Sequence, residues 1–136
     1  MATLNLDIEF DYDFQLIAIS SNQRAYTLCW AINNMLKSSL SLADSHTMQA
    51  KNRIVQYRKY ISNERGFYFT LLCNKSLNDR LLKELPTVDF LIKIHEEDSP
   101  YSESEIVLRL RKLKEIQAVY SLDVSILKSK QALIFD

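Results

Sequence analysis

Leu4, Leu6, Ile8, Phe10, Tyr12 and Phe14 alternate with Asn5, Asp7, Glu9, Asp11 and Asp13. A period of two predicts a strand with one face in the core. Leu16-Ile17 breaks the phase, and a strand running on would need a bulge there. The strand is therefore read as ending between residues 10 and 12, and residues 14–20 as a short helical turn, with a bulged strand as the alternative. From Asn22 the period becomes helical: Leu28, Ala31, Ile32, Met35 and Leu36 recur at i, i+3, i+4, i+7 and i+8 and predict a helix ending near Lys37.

Leu40, Leu42, Asp44, His46 and Met48 alternate weakly and suggest another strand. Residues 54–61 and 67–74 are rich in aromatic and β-branched side chains, and residues 62–66, ending in Gly66, supply turn chemistry between them, so the pair is read as a hairpin. A leucine-rich connector, 76–85, leads to residues 88–94, a buried strand predicted to carry Val88, Phe90, Ile92 and Ile94 on one face.

Ser102 followed by Glu105 has the spacing of a capping box. Ile106, Leu110 and Leu113 form the inward stripe of the helix it opens, with Arg109, Arg111, Lys112 and Lys114 on or beside the outer face. Residues 118–122 form a closing strand, and Leu133-Ile134-Phe135 is an apolar patch expected to dock. The expected fold is α+β, one domain over residues 1–136, with a mostly antiparallel sheet of five or six strands covered by two principal helices. Its second half (strand 87–95, helix 103–115, strand 117–122) looks like half of a ferredoxin-like or ACT-like domain.

The chain has 136 residues, 47% of them hydrophobic and 25% charged, with 17 basic and 17 acidic side chains. Disorder and a fibrous chain do not fit that balance, nor does the overall basic excess of many nucleic-acid binders. The first ten residues lack a basic region followed by an apolar core, and no apolar run approaches the roughly 18 residues that span a bilayer, so a cytoplasmic protein without membrane contact is expected. A single Gly and two Pro leave no Gly-rich phosphate loop and no G-x-S-x-G elbow.

Cys29 and Cys73 belong to no C-x-x-C pair and are read as two small buried thiols, with redox or metal chemistry the alternative. A zinc site would need both His46 and His95 plus distant partners, and no metal or cofactor is expected. The carboxylates of Asp7, Glu9, Asp11 and Asp13 share one strand face; at i, i+2 spacing they are about 7 Å apart, too far to chelate one ion alone, which favours a solvated face. Glu84 and Asp89 bracket Pro86 and could act as general acid and base, but their spacing fixes no separation, and no catalytic residue is assigned.

Residues 51–84 hold eight basic side chains against three acidic ones, a local excess of five. Arg53, Tyr57, Arg58, Lys59 and Tyr68 are the candidate single-stranded RNA patch there, since basic residues interleaved with aromatics on a sheet serve phosphate contact and base stacking. The plainer reading is a hairpin with one buried aromatic face and one charged face. On the first helix, Tyr26, Trp30 and Asn33 fall opposite the core stripe. Either residues 14–19 or 133–135 fold over Trp30, or Tyr26 and Trp30 anchor a dimer or partner interface.

Leu82, Lys83, Glu84, Leu85, Pro86, Thr87, Val88, Asp89 and Phe90 resemble the signature of the bacterial IPExxxVDY family. Glu84, Val88 and Asp89 match it, Leu82 and Phe90 are close replacements, and Lys83 stands where the family has proline. Residues 11–14, 16–21, 28–33, 127–130 and 133–135 are also similar to family segments. The resemblance implies no assigned activity, substrate or cofactor; its members lie near genes of fatty-acid synthesis, ribonuclease III and pyruvate kinase, a housekeeping setting. The expectation is a non-enzymatic cytoplasmic interaction or regulatory module, bound to itself or to another protein, with RNA binding the alternative.

Overall fold

The computed structural model describes residues 14–64, 66–95 and 99–134. Its strands are β1 (Gln15–Ser20), β2 (Ser41–Leu42), β3 (His46–Ala50), β4 (Arg53–Tyr57), β5 (Lys59–Glu64), β6 (Phe67–Cys73), β7 (Lys75–Ser76), β8 (Asp79–Arg80), β9 (Phe90–Ile94) and β10 (Ala118–Leu122), and its α-helices are α1 (Ala25–Leu36) and α2 (Glu103–Leu110). Among the described residues, the main sheet is antiparallel throughout, in the order β10-β1-β9-β6-β5-β2, and the hairpins β3-β4 and β7-β8 form two small sheets.

This order contains a whole motif of which the sequence suggested only half. β9 and β10 run parallel with β1 between them and are joined through α2. β1 and β6 likewise run parallel with β9 between them and are joined through α1, with β2 to β5 inserted in that connection. Two interleaved split β-α-β units make the β-α-β-β-α-β arrangement of the ferredoxin-like type. Both helices cover one face of the sheet, where Leu28, Ile32, Ile106 and Leu110 meet Ile17, Ile19, Phe69, Leu71, Ile92 and Ile94.

The other face is covered as well. Leu16, Ala18, Leu72 and Leu91 point into a second core closed by Val55 and Tyr57 of β4, Leu81 and Leu82 of the connector, and Val124, Leu127 and Leu133 of two terminal 3₁₀ turns. A strand buried on both faces loses its alternation and reads as a continuous apolar run. That is why residues 14–20 are not a helical turn: Leu16, Ile17, Ala18 and Ile19 are all buried within a strand paired on both sides, with no bulge in its register. The alternating residues 4–13, including Asp7, Glu9, Asp11 and Asp13, lie outside the described residues.

Four further boundaries differ from the sequence reading. The strand expected over 54–61 is two strands, because the chain changes sheets at Arg58: β4 pairs with β3, and β5 pairs with β6. The weak alternation of 40–48 likewise splits between β2 and β3, in different sheets. Val88 precedes β9 and packs in the second core, while Phe90, Ile92 and Ile94 face the helices. α2 ends at Leu110 rather than near residue 115, closing in i to i+3 turns through Arg109–Lys112 and Leu110–Leu113 bonds. The capping box at Ser102 and Glu105 forms with both reciprocal bonds, each 3.1 Å. Gly66, at φ 82°, turns β5 into β6; a Cβ there would meet nothing within 4 Å, so backbone conformation rather than crowding favours glycine. Among the described residues no helix is long and apolar enough to cross a membrane.

Candidate functional site

Asn74, fully buried at the end of β6, organises the connector that carries Leu82, Glu84, Val88, Asp89 and Phe90. Its side-chain oxygen accepts from the Leu82 amide at 2.8 Å, and its side-chain nitrogen donates to the carbonyls of Leu85 at 3.0 Å and Val88 at 2.8 Å. Its amide donates to Asp89 O, and its carbonyl accepts from Leu81. Sequence reasoning passed over Asn74, because an asparagine after a strand carries no signal of what its side chain will meet. Leu82, Val88 and Phe90 then fall into the two cores.

The two acids of this segment part company. Glu84 reaches the C-terminal turns, where its carboxylate accepts from the amides of Lys128 at 2.6 Å and Ser129 at 3.0 Å and from the Ser129 hydroxyl at 2.7 Å. Burial works to raise its pKa, but these bonds together outweigh it and hold the group at about 2. Asp89 turns to the opposite end of the connector: it accepts from the Ser21 amide at 2.8 Å and pairs with Lys75. Ser21 in turn donates to Glu115 O, so Asp89 helps set the turn from β1 into α1. Each carboxylate is engaged by a different part of the chain, which is a clasping arrangement and not an acid-base pair in a shared cleft.

On α1, Tyr26 and Trp30 are 66% and 65% exposed. Neither expected cover reaches Trp30: residues 15–19 lie in the central sheet, Leu133 is buried in the core on the far side, and Phe135 lies outside the described residues. Asn33 is not part of this open surface in the same sense. It accepts from the Leu40 amide at 2.7 Å and the Ser38 hydroxyl at 2.8 Å, fixing the chain as it leaves the helix.

The residues of the candidate RNA patch are not gathered on one open surface. Tyr57 and Lys59 are buried, Tyr68 stacks on His95, and Arg53 makes a two-pronged ion pair with Asp79 at 2.6 and 2.9 Å. β4 divides the basic segment: Arg53, Val55 and Tyr57 line a cavity of about 430 Å³ together with Arg80 and Lys83, whereas Gln56 and Arg58 line a cleft of about 750 Å³ with Lys75 and the start of α1. Arg53 of β4 and Arg58, just past its end, thus line two different concavities.

Cys29 and Cys73 are free thiols that pack on the helix-side core. Burial pushes Cys29 up to about 12, with Cys73 adding to the shift, and pushes Cys73 up to about 11 against the opposing pull of Arg58. His46 bonds the Ala132 carbonyl at 2.8 Å, and burial lowers its pKa, as do Lys59 and Lys93. Burial also lowers His95, whose Nε2 finds no hydrogen-bond partner. Among the described residues no three of His, Cys, Asp and Glu come together to hold a metal ion. Comparison with known protein families and with curated proteins gave no match.

Proposed function

We propose that the chain is a non-enzymatic interaction module of the IPExxxVDY type that works in the cytoplasm by self-association, a second copy of the same chain seating on the outer face of α1. The observation that carries this reading is the exposure of Trp30 and Tyr26, one helical turn apart and about two-thirds open to solvent. Large aromatics with a polar handle are the usual anchors of protein interfaces.

Charge favours a second copy as the occupant. The twelve residues of α1 include no charged side chain, so in a two-fold contact, where a face meets itself, the helix itself brings no like charges together. The balance of 17 basic and 17 acidic residues removes any overall repulsion between copies. The resemblance to the IPExxxVDY signature fits a module held in shape by that segment, since Glu84 and Asp89 serve contacts within the chain. Two free thiols suit a reducing compartment.

Light scattering over about 1 µM to about 1 mM tests the reading, a range that brackets ordinary dimer affinities. Wild type should pass from monomer to dimer, and Trp30→Ala and Tyr26→Ala should remain monomeric with unchanged far-UV circular dichroism. A wild-type chain that stays monomeric across the range, or a Trp30→Ala variant that dimerises like wild type, would overturn it.

A further inference from the structure

The cleft of about 750 Å³ beside α1 shares Tyr26 with the self-association face, but its cations are unused by that reading, and its size falls within the roughly 300–1,000 Å³ of small-molecule sites. Cations from three separate parts of the chain line it: Arg24 before α1, Arg58 at the bend between β4 and β5, and Lys75 of β7. The carboxylate in its lining, Asp89, is already occupied by the Ser21 amide and by Lys75. Neither Arg24 nor Arg58 has a carboxylate partner among the described residues. The lining therefore carries an excess of two positive charges.

The opening of α1 adds to this field. Its N-cap is Arg24, whose side chain makes no capping bond, and its first turn holds no acidic residue, so the positive end of the helix has no compensating group of its own. The rest of the lining includes apolar surface. Tyr26 stands open, and Leu77 at the tip of the β7-β8 turn is 96% exposed, held at φ 53° where a branched side chain is rarely found. Arg58 also bonds the Tyr60 hydroxyl, but neither guanidinium is neutralised, and two such groups suit a phosphate better than a carboxylate, because their planar forks bond its oxygens in pairs.

We propose that this cleft binds a small phosphate ester, its dianionic phosphate held by Arg24, Arg58 and the first turn of α1, and its flat apolar body lying along Tyr26 and Leu77. A concave site with two cations that lack a carboxylate partner fits one phosphate group, whereas a nucleic-acid strand needs a continuous track of them, and Lys51, Arg53, Arg80 and Lys83 line a different cavity.

Isothermal titration at low salt with pyrophosphate and with AMP as probes tests this on the full chain. Both should bind once per chain, AMP the more tightly because its base meets the apolar side. Arg24→Gln and Arg58→Gln should each weaken binding roughly tenfold, the loss expected for one charge-assisted contact, without changing the melting temperature. Arg58→Lys keeps the charge and the side-chain stem, so it should retain part of the affinity and serves if Arg58→Gln fails to fold. Absence of heat with either probe up to about 10 mM, a range that covers even weak sites, or unchanged affinity in the double variant, would overturn the site. Pyrophosphate binding as tightly as AMP would overturn the role of Tyr26 and Leu77. A single-stranded RNA that binds more tightly than AMP, and loses equally with Arg53→Gln and Arg58→Gln, would assign these cations to a polymer instead.

Discussion

The Ser129 hydroxyl donates to Glu84 at 2.7 Å, across forty-five residues of sequence, and with the amides of Lys128 and Ser129 it ties the connector before β9 to the C-terminal turns. The Glu84 carboxyl sits at about 2 against an ordinary 4.5. A group depressed on folding stabilises the folded state above its unfolded pKa, and that contribution is lost as pH falls through the folded value. The stability difference between wild type and Glu84→Gln should be full above about pH 5, shrink below about 4.5 and vanish near 2, as read by urea unfolding at a series of pH values. Because Glu84 is exposed, solvent screening reduces its size to on the order of 1 kcal/mol. A difference that does not change between pH 6 and about pH 3 would contradict the assignment.

Asn74 is a sharper structural dependency. Asn74→Ala leaves the Leu82 amide and the Val88 carbonyl without their side-chain partner, while the Leu85 carbonyl keeps the Val88 amide, and should cost on the order of 3 kcal/mol. Asn74→Asp keeps an acceptor for Leu82 but turns a second acceptor toward two carbonyls, so it too should destabilise. Chemical denaturation of both variants checks this, and near-wild-type stability of either would remove Asn74 from its organising place.

Leu110 is fully buried where α2 meets the sheet. Leu110→Ala should cost about 2 to 5 kcal/mol in urea unfolding, the range for a leucine whose cavity cannot fully collapse. Trp30→Ala, by contrast, removes an exposed side chain and should stay within about 0.5 kcal/mol of wild type at concentrations where the chain is monomeric.

The thiols should be inert in the native state. With Cys73 at about 11 and Cys29 at about 12, against an ordinary 9.0, the thiolate of Cys73 at pH 8 is roughly a hundredfold scarcer than in the unfolded chain, and that of Cys29 scarcer still. Reaction with a thiol reagent at pH 8 should therefore be slow in buffer and fast in denaturant. A rapid first equivalent in buffer would show that Cys73 is more open than its packing implies.

Wherever one short-range rule governed an element, the sequence by itself determined it. The helical period of Leu28, Ile32 and Leu36 placed α1, and the Ser102 and Glu105 pair placed the start of α2. The run from Leu16 to Ile19 was opaque because a strand buried on both faces has no period to read, and its two coverings come from distant parts of the chain. The break at Arg58 was hidden for a related reason: residues 54–61 read as one run rich in aromatic and β-branched side chains, and only competition between the β3 and β6 edges decides where the chain changes partner. The candidate sites follow the same division. A helical wheel sufficed to set Tyr26 and Trp30 opposite the core, but only packing decided that nothing in the described chain lies over them. Arg24, Arg58 and Lys75 span some fifty residues and became one cleft through the pairing of strands, an outcome set by non-local contacts that no local pattern records.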